Sequence, residues 1–121
     1  MLPTRHRLVD GDSFRRASRA GRSAGSPTMV LHLDDPRTST SEDGGPVVPA
    51  RVGFVVSKAV GNAVVRNRVK RRLRHLASER LPMLGDGQVL VVRARAAAAQ
   101  ADSGRLAVDL DRCLDKLGAA A

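Results

Sequence analysis

The chain has 121 residues, 42% of them hydrophobic, and a formal net charge of +9. That length supports one domain with a single core, and that apolar content excludes a disordered basic tail. Phe14 and Phe54 are the only aromatic residues and Cys113 the only cysteine, so an internal disulfide is excluded and base stacking on aromatic platforms has at most two participants.

Met1 to Arg7 is charged with no apolar stretch behind it, and no 18-residue apolar run occurs anywhere. Secretion and membrane spanning are therefore not expected, and the cytoplasm is the expected location. From Asp10 to Ala20, a capping acid at Asp10 or Asp12 precedes Phe14, Ala17 and three arginines, which predicts a short helix ending before Gly21. Thr28 to Leu33 predicts a strand. Asp34 to Pro49 is rich in Pro, Gly, Ser, Thr and acids and predicts a flexible loop inside a single domain spanning residues 1–121. Arg51 to Ser57 alternates, placing Val52, Phe54 and Val56 on one sheet face, so Phe54 reads as core rather than as a stacking platform. Gly61-Asn62 opens a helix that runs to about Arg80 and stops before Pro82. Gln88 to Val92 predicts a short strand. Ser103 is placed to cap a last helix with Leu106, Leu110, Cys113, Leu114 and Leu117 on one side. Ala96 to Ala99 fits a helix or a loop equally. The order helix, strand, strand, helix, strand, helix implies an α+β layer arrangement.

The charge is concentrated. No acidic residue lies between Asp43 and Glu79, whereas Arg51, Lys58, Arg66, Arg68, Lys70, Arg71, Arg72 and Arg74 all fall there. Such a block repels itself and needs a polyanion to neutralise it, and nucleic acid is the commonest one. It is also helical: Val65, Val69, Leu73 and Leu76 recur at steps of four, four and three. With about 100° per residue they share one side, leaving Asn67, Arg68, Lys70, Arg71 and Arg74 on the other. Arginine forks bind phosphate oxygens bidentately, which suits a folded RNA backbone.

No catalytic constellation accompanies this surface. His6, His32 and His75 lack metal-ligand spacing. Asp109, Asp111 and Asp115 lie on a helix that already has an apolar stripe, and read as a solvated face rather than a two-metal nuclease site. Ser57-Lys58 lacks the spacing of a Ser-Lys hydrolase, and no phosphate-cradling glycine loop occurs. No catalytic residue, metal site or bound cofactor is expected in the protein alone. A ribosome-associated RNA-binding protein would share this charge and a small α+β fold, and the residues leave that alternative open.

The stretch Ser57-Lys58-Ala59-Val60-Gly61-Asn62-Ala63-Val64-Val65-Arg66-Asn67-Arg68-Val69-Lys70-Arg71-Arg72-Leu73-Arg74 resembles the signature of the bacterial ribonuclease P protein subunit. Phe14-Arg15-Arg16 followed by Gly21-Arg22-Ser23 is similar to that family's first helix and its exit, and the resemblance covers roughly residues 5 to 117. It implies a small mixed sheet packed with three helices, in an αβββαβα order with a left-handed βαβ crossover. It further implies a large catalytic RNA as partner, which removes the 5′ leader of precursor tRNA with magnesium ions; the protein chain would not itself be catalytic. Arg66, Asn67, Arg68, Lys70, Arg71 and Arg74 would contact the catalytic RNA and flank the leader. Phe14, Ser18, His32 and Lys58 would line the leader cleft. Ser18, Ala59 and His32 depart from the family pattern, which often has an aromatic, a lysine and a tyrosine at those places.

Overall fold

In the computed structural model, which describes residues 6–8, 11, 15, 17, 21–34 and 49–118, four strands form one mixed sheet. They are β1 (Arg22–Gly25), β2 (Met29–Asp34), β3 (Arg51–Val55) and β4 (Val89–Ala94), in the spatial order β1-β2-β4-β3. β1 pairs antiparallel with β2, and β2 with β4, whereas β3 and β4 run parallel. Parallel neighbours need a crossover, and α1 (Ala63–Glu79) provides it. A second helix, α2 (Ser103–Leu117), follows β4. The expected α+β class and the parallel βαβ unit are both present.

Several boundaries and one element differ from expectation. Two α-helices are described rather than three; of the segment from Asp10 to Ala20 only Gly11, Arg15 and Ala17 are among the described residues, and all three are helical. The Gly21 N–H donates to the Ala17 carbonyl at 3.2 Å, a helix-type bond at the expected exit. β1 has no counterpart in the periodicity reading. Its sequence Arg-Ser-Ala-Gly has little β-propensity, and register with β2 holds it in place, Ala24 alone being buried. α2 is capped by Asp102, whose side chain accepts from the Arg105 N–H at 2.8 Å, and Ser103 is the first helical residue. Ala96 to Gln100 forms a short 3-10 turn. Apart from its end residues, Asp34 and Pro49, the expected loop lies outside the described residues.

The sheet has two unlike faces, because side chains alternate along each strand. Met29, Leu31 and Leu33 of β2, Val52 of β3 and Leu90, Val92 and Ala94 of β4 point to the helices and form the main core. They meet Val69, Leu73 and Leu76 of α1 and Leu106, Leu110, Cys113, Leu114 and Leu117 of α2. Phe54 packs against this core, as expected. Burying each such Leu or Val stabilises the fold by about 1.5–3 kcal/mol. The opposite face carries a smaller cluster, in which Leu8 and Ala17 cover Val89, Val91 and the half-buried Val55. Arg7 bridges to Val52 in parallel, and the Leu8 N–H donates to the Val52 carbonyl at 3.0 Å, so the amino-terminal arm covers part of the outer edge of β3.

Candidate nucleic-acid interface

The basic helix begins in a tightly specified turn. After β3, the Val60 N–H donates to the Ser57 carbonyl and the Gly61 N–H to the Lys58 carbonyl, leaving Lys58 exposed at the turn. Gly61 has φ 155°, and a Cβ there would sit 2.9 Å from Cγ1 of Val65, so a larger residue would push the first helical turn away. Asn62 then caps α1, its side-chain oxygen accepting from the Val65 N–H at 3.0 Å. The Gly-Asn pair is thus a device for starting this helix directly after the strand. Its first turn contains no acidic residue, so the positive end of the helix dipole adds to the arginines instead of being neutralised.

Along α1, Asn67, Arg71 and Arg74 are exposed, whereas Arg66, Arg68 and Lys70 are half-buried. The wheel separates the latter: Arg66 and Lys70 fall on one flank of the exposed row, Arg68 and Arg72 on the other. On that second flank, Arg68 Nη2 donates to the Ala99 carbonyl at 3.3 Å, and Arg72 Nη1 to the Ala101 carbonyl at 2.9 Å. Both arginines therefore hold the link between β4 and α2 against α1. The expected polar side of the helix is narrower than the sequence implies, with Asn67, Arg71 and Arg74 at its centre.

Arg80, just beyond α1, is wholly engaged with protein. Its Nε and Nη2 donate to the two carboxylate oxygens of Asp111, at 2.6 and 3.1 Å, and Nη1 donates to the Leu76 carbonyl at 3.0 Å. The hydrogen bonds that Arg80 donates to Asp111 raise the Arg80 pKa, with burial opposing them. This corrects the reading of α2's acids as one solvated face. Asp109 is fully buried, accepting from the Thr28 hydroxyl at 2.6 Å with Arg105 Nε 3.4 Å away, because the β1–β2 turn packs directly on that helical turn. Asp111 is paired and Asp115 is exposed, so the three carboxylates do not converge. Among the described residues no group of three His, Cys, Asp or Glu side chains is placed to hold a metal ion. No helix among them is long and apolar enough to cross a membrane.

The expected leader-cleft residues are partly placed. His32 lies on β2 opposite Val91, on the sheet face away from the main core. Burial, and then the nearby Arg93 charge, lower its pKa from the ordinary imidazole value. Lys58 is at the β3–α1 turn, and Phe14 and Ser18 lie outside the described residues. The sequence reading assigned no individual role to Arg72, Arg80, Arg93 or Arg95; the one available signal was the flank position of Arg72 on the helical wheel.

Comparison with known proteins places these features in context. The Ribonuclease P family profile matches residues 2–118. A ribonuclease P protein component from a Nocardioides species is 56% identical over 119 residues, covering 98% of this chain and 97% of its own length. One from Streptomyces avermitilis is 51% identical over 117 residues, covering 97% and 95%. Among solved structures, the Staphylococcus aureus RNase P protein superposes with a TM-score of 0.76 at 23% identity, covering 92% of this chain and 94% of that one, which is a likeness of fold.

Proposed function

The chain belongs to the ribonuclease P protein family, the protein subunits of a tRNA-processing endoribonuclease, and from this premise we propose that it binds the large RNA of that particle through α1. The observation that carries the reading is the exposed row of Asn67, Arg71 and Arg74 with Arg66 and Lys70 beside it, on a helix rigidly capped and packed. Arginine forks fixed on a helix meet phosphates with little ordering cost, and Asn67 adds a donor and an acceptor among them. Arg68 is chiefly a fold residue on the flank of this row, with Nη2 held by the Ala99 carbonyl and Nε buried.

In this reading the RNA performs the hydrolysis with magnesium ions, and the protein holds no metal or cofactor of its own. Precursor tRNA is the substrate, and its 5′ leader passes the sheet face bearing His32 and the turn bearing Lys58; Phe14 and Ser18 join them only as the family resemblance implies. The protein acts in the cytoplasm, where precursor tRNA is made. Reconstitution with the cognate RNA tests this. The protein alone should leave precursor tRNA intact, and with the RNA it should raise cleavage at low magnesium, because its cations replace part of the screening that metal supplies. Arg71→Ala should weaken assembly with the RNA. Metal-dependent cleavage by RNA-free protein would overturn the proposal.

A further inference from the structure

The parallel pairing of β3 and β4 brings a second set of cations to one end of the sheet. Val55 is level with Arg93, so the carboxyl ends of both strands coincide, and Lys58 follows three residues beyond Val55. Leu90, Val92 and Ala94 face the main core, which turns Arg93 to the other side, beside His32. Arg95 joins it there. Its N–H donates to the Thr28 carbonyl at 2.8 Å, and its Nη2 lies 3.4 Å from where a Cβ on Gly25 would sit. Gly25 is level with Val30, which is level with Arg93, and so the Arg95 guanidinium lies over the same row of the sheet.

Both side chains are exposed, and no hydrogen bond or ion pair engages either guanidinium among the described residues. Of the acids that follow in sequence, Asp102 caps α2, Asp109 lies beneath Thr28 and Asp111 pairs with Arg80. The segment that begins at Arg95 is itself pinned to α1 by the bonds of Arg68 and Arg72. Two guanidinium groups with no acidic partner among the described residues are therefore held in a fixed relation to the basic helix.

We propose that Arg93 and Arg95 form a second phosphate-contacting strip, which with Lys58 carries the cationic surface of α1 around the end of the sheet onto its opposite face. The ligand is an RNA phosphodiester backbone, supplied either by the large RNA or by the 5′ leader of precursor tRNA. This rests on the RNA-binding reading above.

The test compares wild-type protein, the double variant Arg93→Gln/Arg95→Gln, its charge-restoring counterpart Arg93→Lys/Arg95→Lys, and Arg71→Ala. Affinity for the ribonuclease P RNA is measured against salt, and the holoenzymes are then titrated with precursor and mature tRNA. Each lost phosphate contact lowers the slope of log affinity against log salt by about 0.7–0.9, so the glutamine pair should lower a slope by about 1.4–1.8 and the lysine pair should restore it. A lower slope with the large RNA alone assigns the phosphates to it; a loss confined to precursor tRNA assigns them to the leader. If the glutamine pair changes neither while Arg71→Ala weakens RNA binding, the strip is idle and the proposal fails with the function intact. If wild-type protein has no affinity for the RNA, the underlying reading fails instead. Unchanged melting temperatures separate either outcome from misfolding.

Discussion

Arg80, at the end of α1, donates from every nitrogen of its guanidinium to protein oxygens of Asp111 and Leu76, whereas Arg71 within α1 faces solvent with no bond among the described residues. One is a fastener between α1 and α2 and the other is a free fork. Arg80→Ala should therefore destabilise the fold by about 1–2 kcal/mol, a range kept low because Asp111 is half exposed to solvent. Arg71→Ala should leave the melting temperature within the scatter expected of surface substitutions. Thermal denaturation of both variants checks this, and an equal drop would mean that Arg71 is structural. His32 gives a pH signature. Its pKa is lowered in the folded state, so above the ordinary imidazole value both folded and unfolded chains carry it neutral and it contributes nothing. As pH falls through about 6.5 the unfolded chain takes up the proton first, and stability declines until the folded pKa is reached. The fall in melting temperature between about pH 7.5 and 5.5 should be smaller for His32→Gln than for wild type. An identical fall in both would show that His32 is not the group responsible.

At the level of elements, α1 leaves its positive end unneutralised at some cost to its own stability. Its amino-terminal turns combine the positive dipole end, Arg66, Arg68 and Lys70 with no acid, and Val64 stands 73% exposed at the second helical position. Val64→Glu should raise the stability of the free protein by about 0.3–1 kcal/mol, by complementing the dipole, and should weaken RNA binding. Denaturation and RNA titration of one variant measure both, and a gain in stability with no loss of affinity would separate this turn from the interface. This helix was legible in the sequence because its apolar period, its Gly-Asn start and its run of arginines all lie within one short segment. Its neighbours' demands were not. Arg68 and Arg72 bond to carbonyls 31 and 29 residues away, and Asp109 meets a threonine 81 residues away, relations that no local pattern encodes. β1 escaped for the same reason: Arg-Ser-Ala-Gly becomes a strand only because β2 offers it an edge. The residues of the leader cleft were named from resemblance alone, since a cleft between sheet and helix has no periodicity of its own.

Across the whole molecule, charge and fold are segregated. The exposed side of α1 is basic, whereas α2 and its cap present Asp102, Arg105, Arg112, Asp115 and Lys116 in near balance, so a polyanion is drawn to α1 rather than to α2. The placement of β4 has a consequence for how the chain is made. It is the last strand to be synthesised, yet it lies between β2 and β3, which have no pairing with each other. Until Val89 to Ala94 has left the ribosome, β2 and β3 cannot join one sheet and α1 has no complete floor to pack on. At about 5–20 residues per second, roughly two to eight seconds separate synthesis of Glu79 from that of Leu117. Nascent chains exposed only as far as Gly87 should be cut readily by protease, and chains exposed through Gly118 should resist; protection of the shorter chain would show that the first three strands fold unaided. Until the sheet is complete, the most basic helix of the protein lacks the floor that fixes it, and ribosomal RNA is the nearest polyanion. Completing the sheet is thus what gives these arginines a fixed geometry, and on the proposed function that geometry is what would let them tell one RNA from the others.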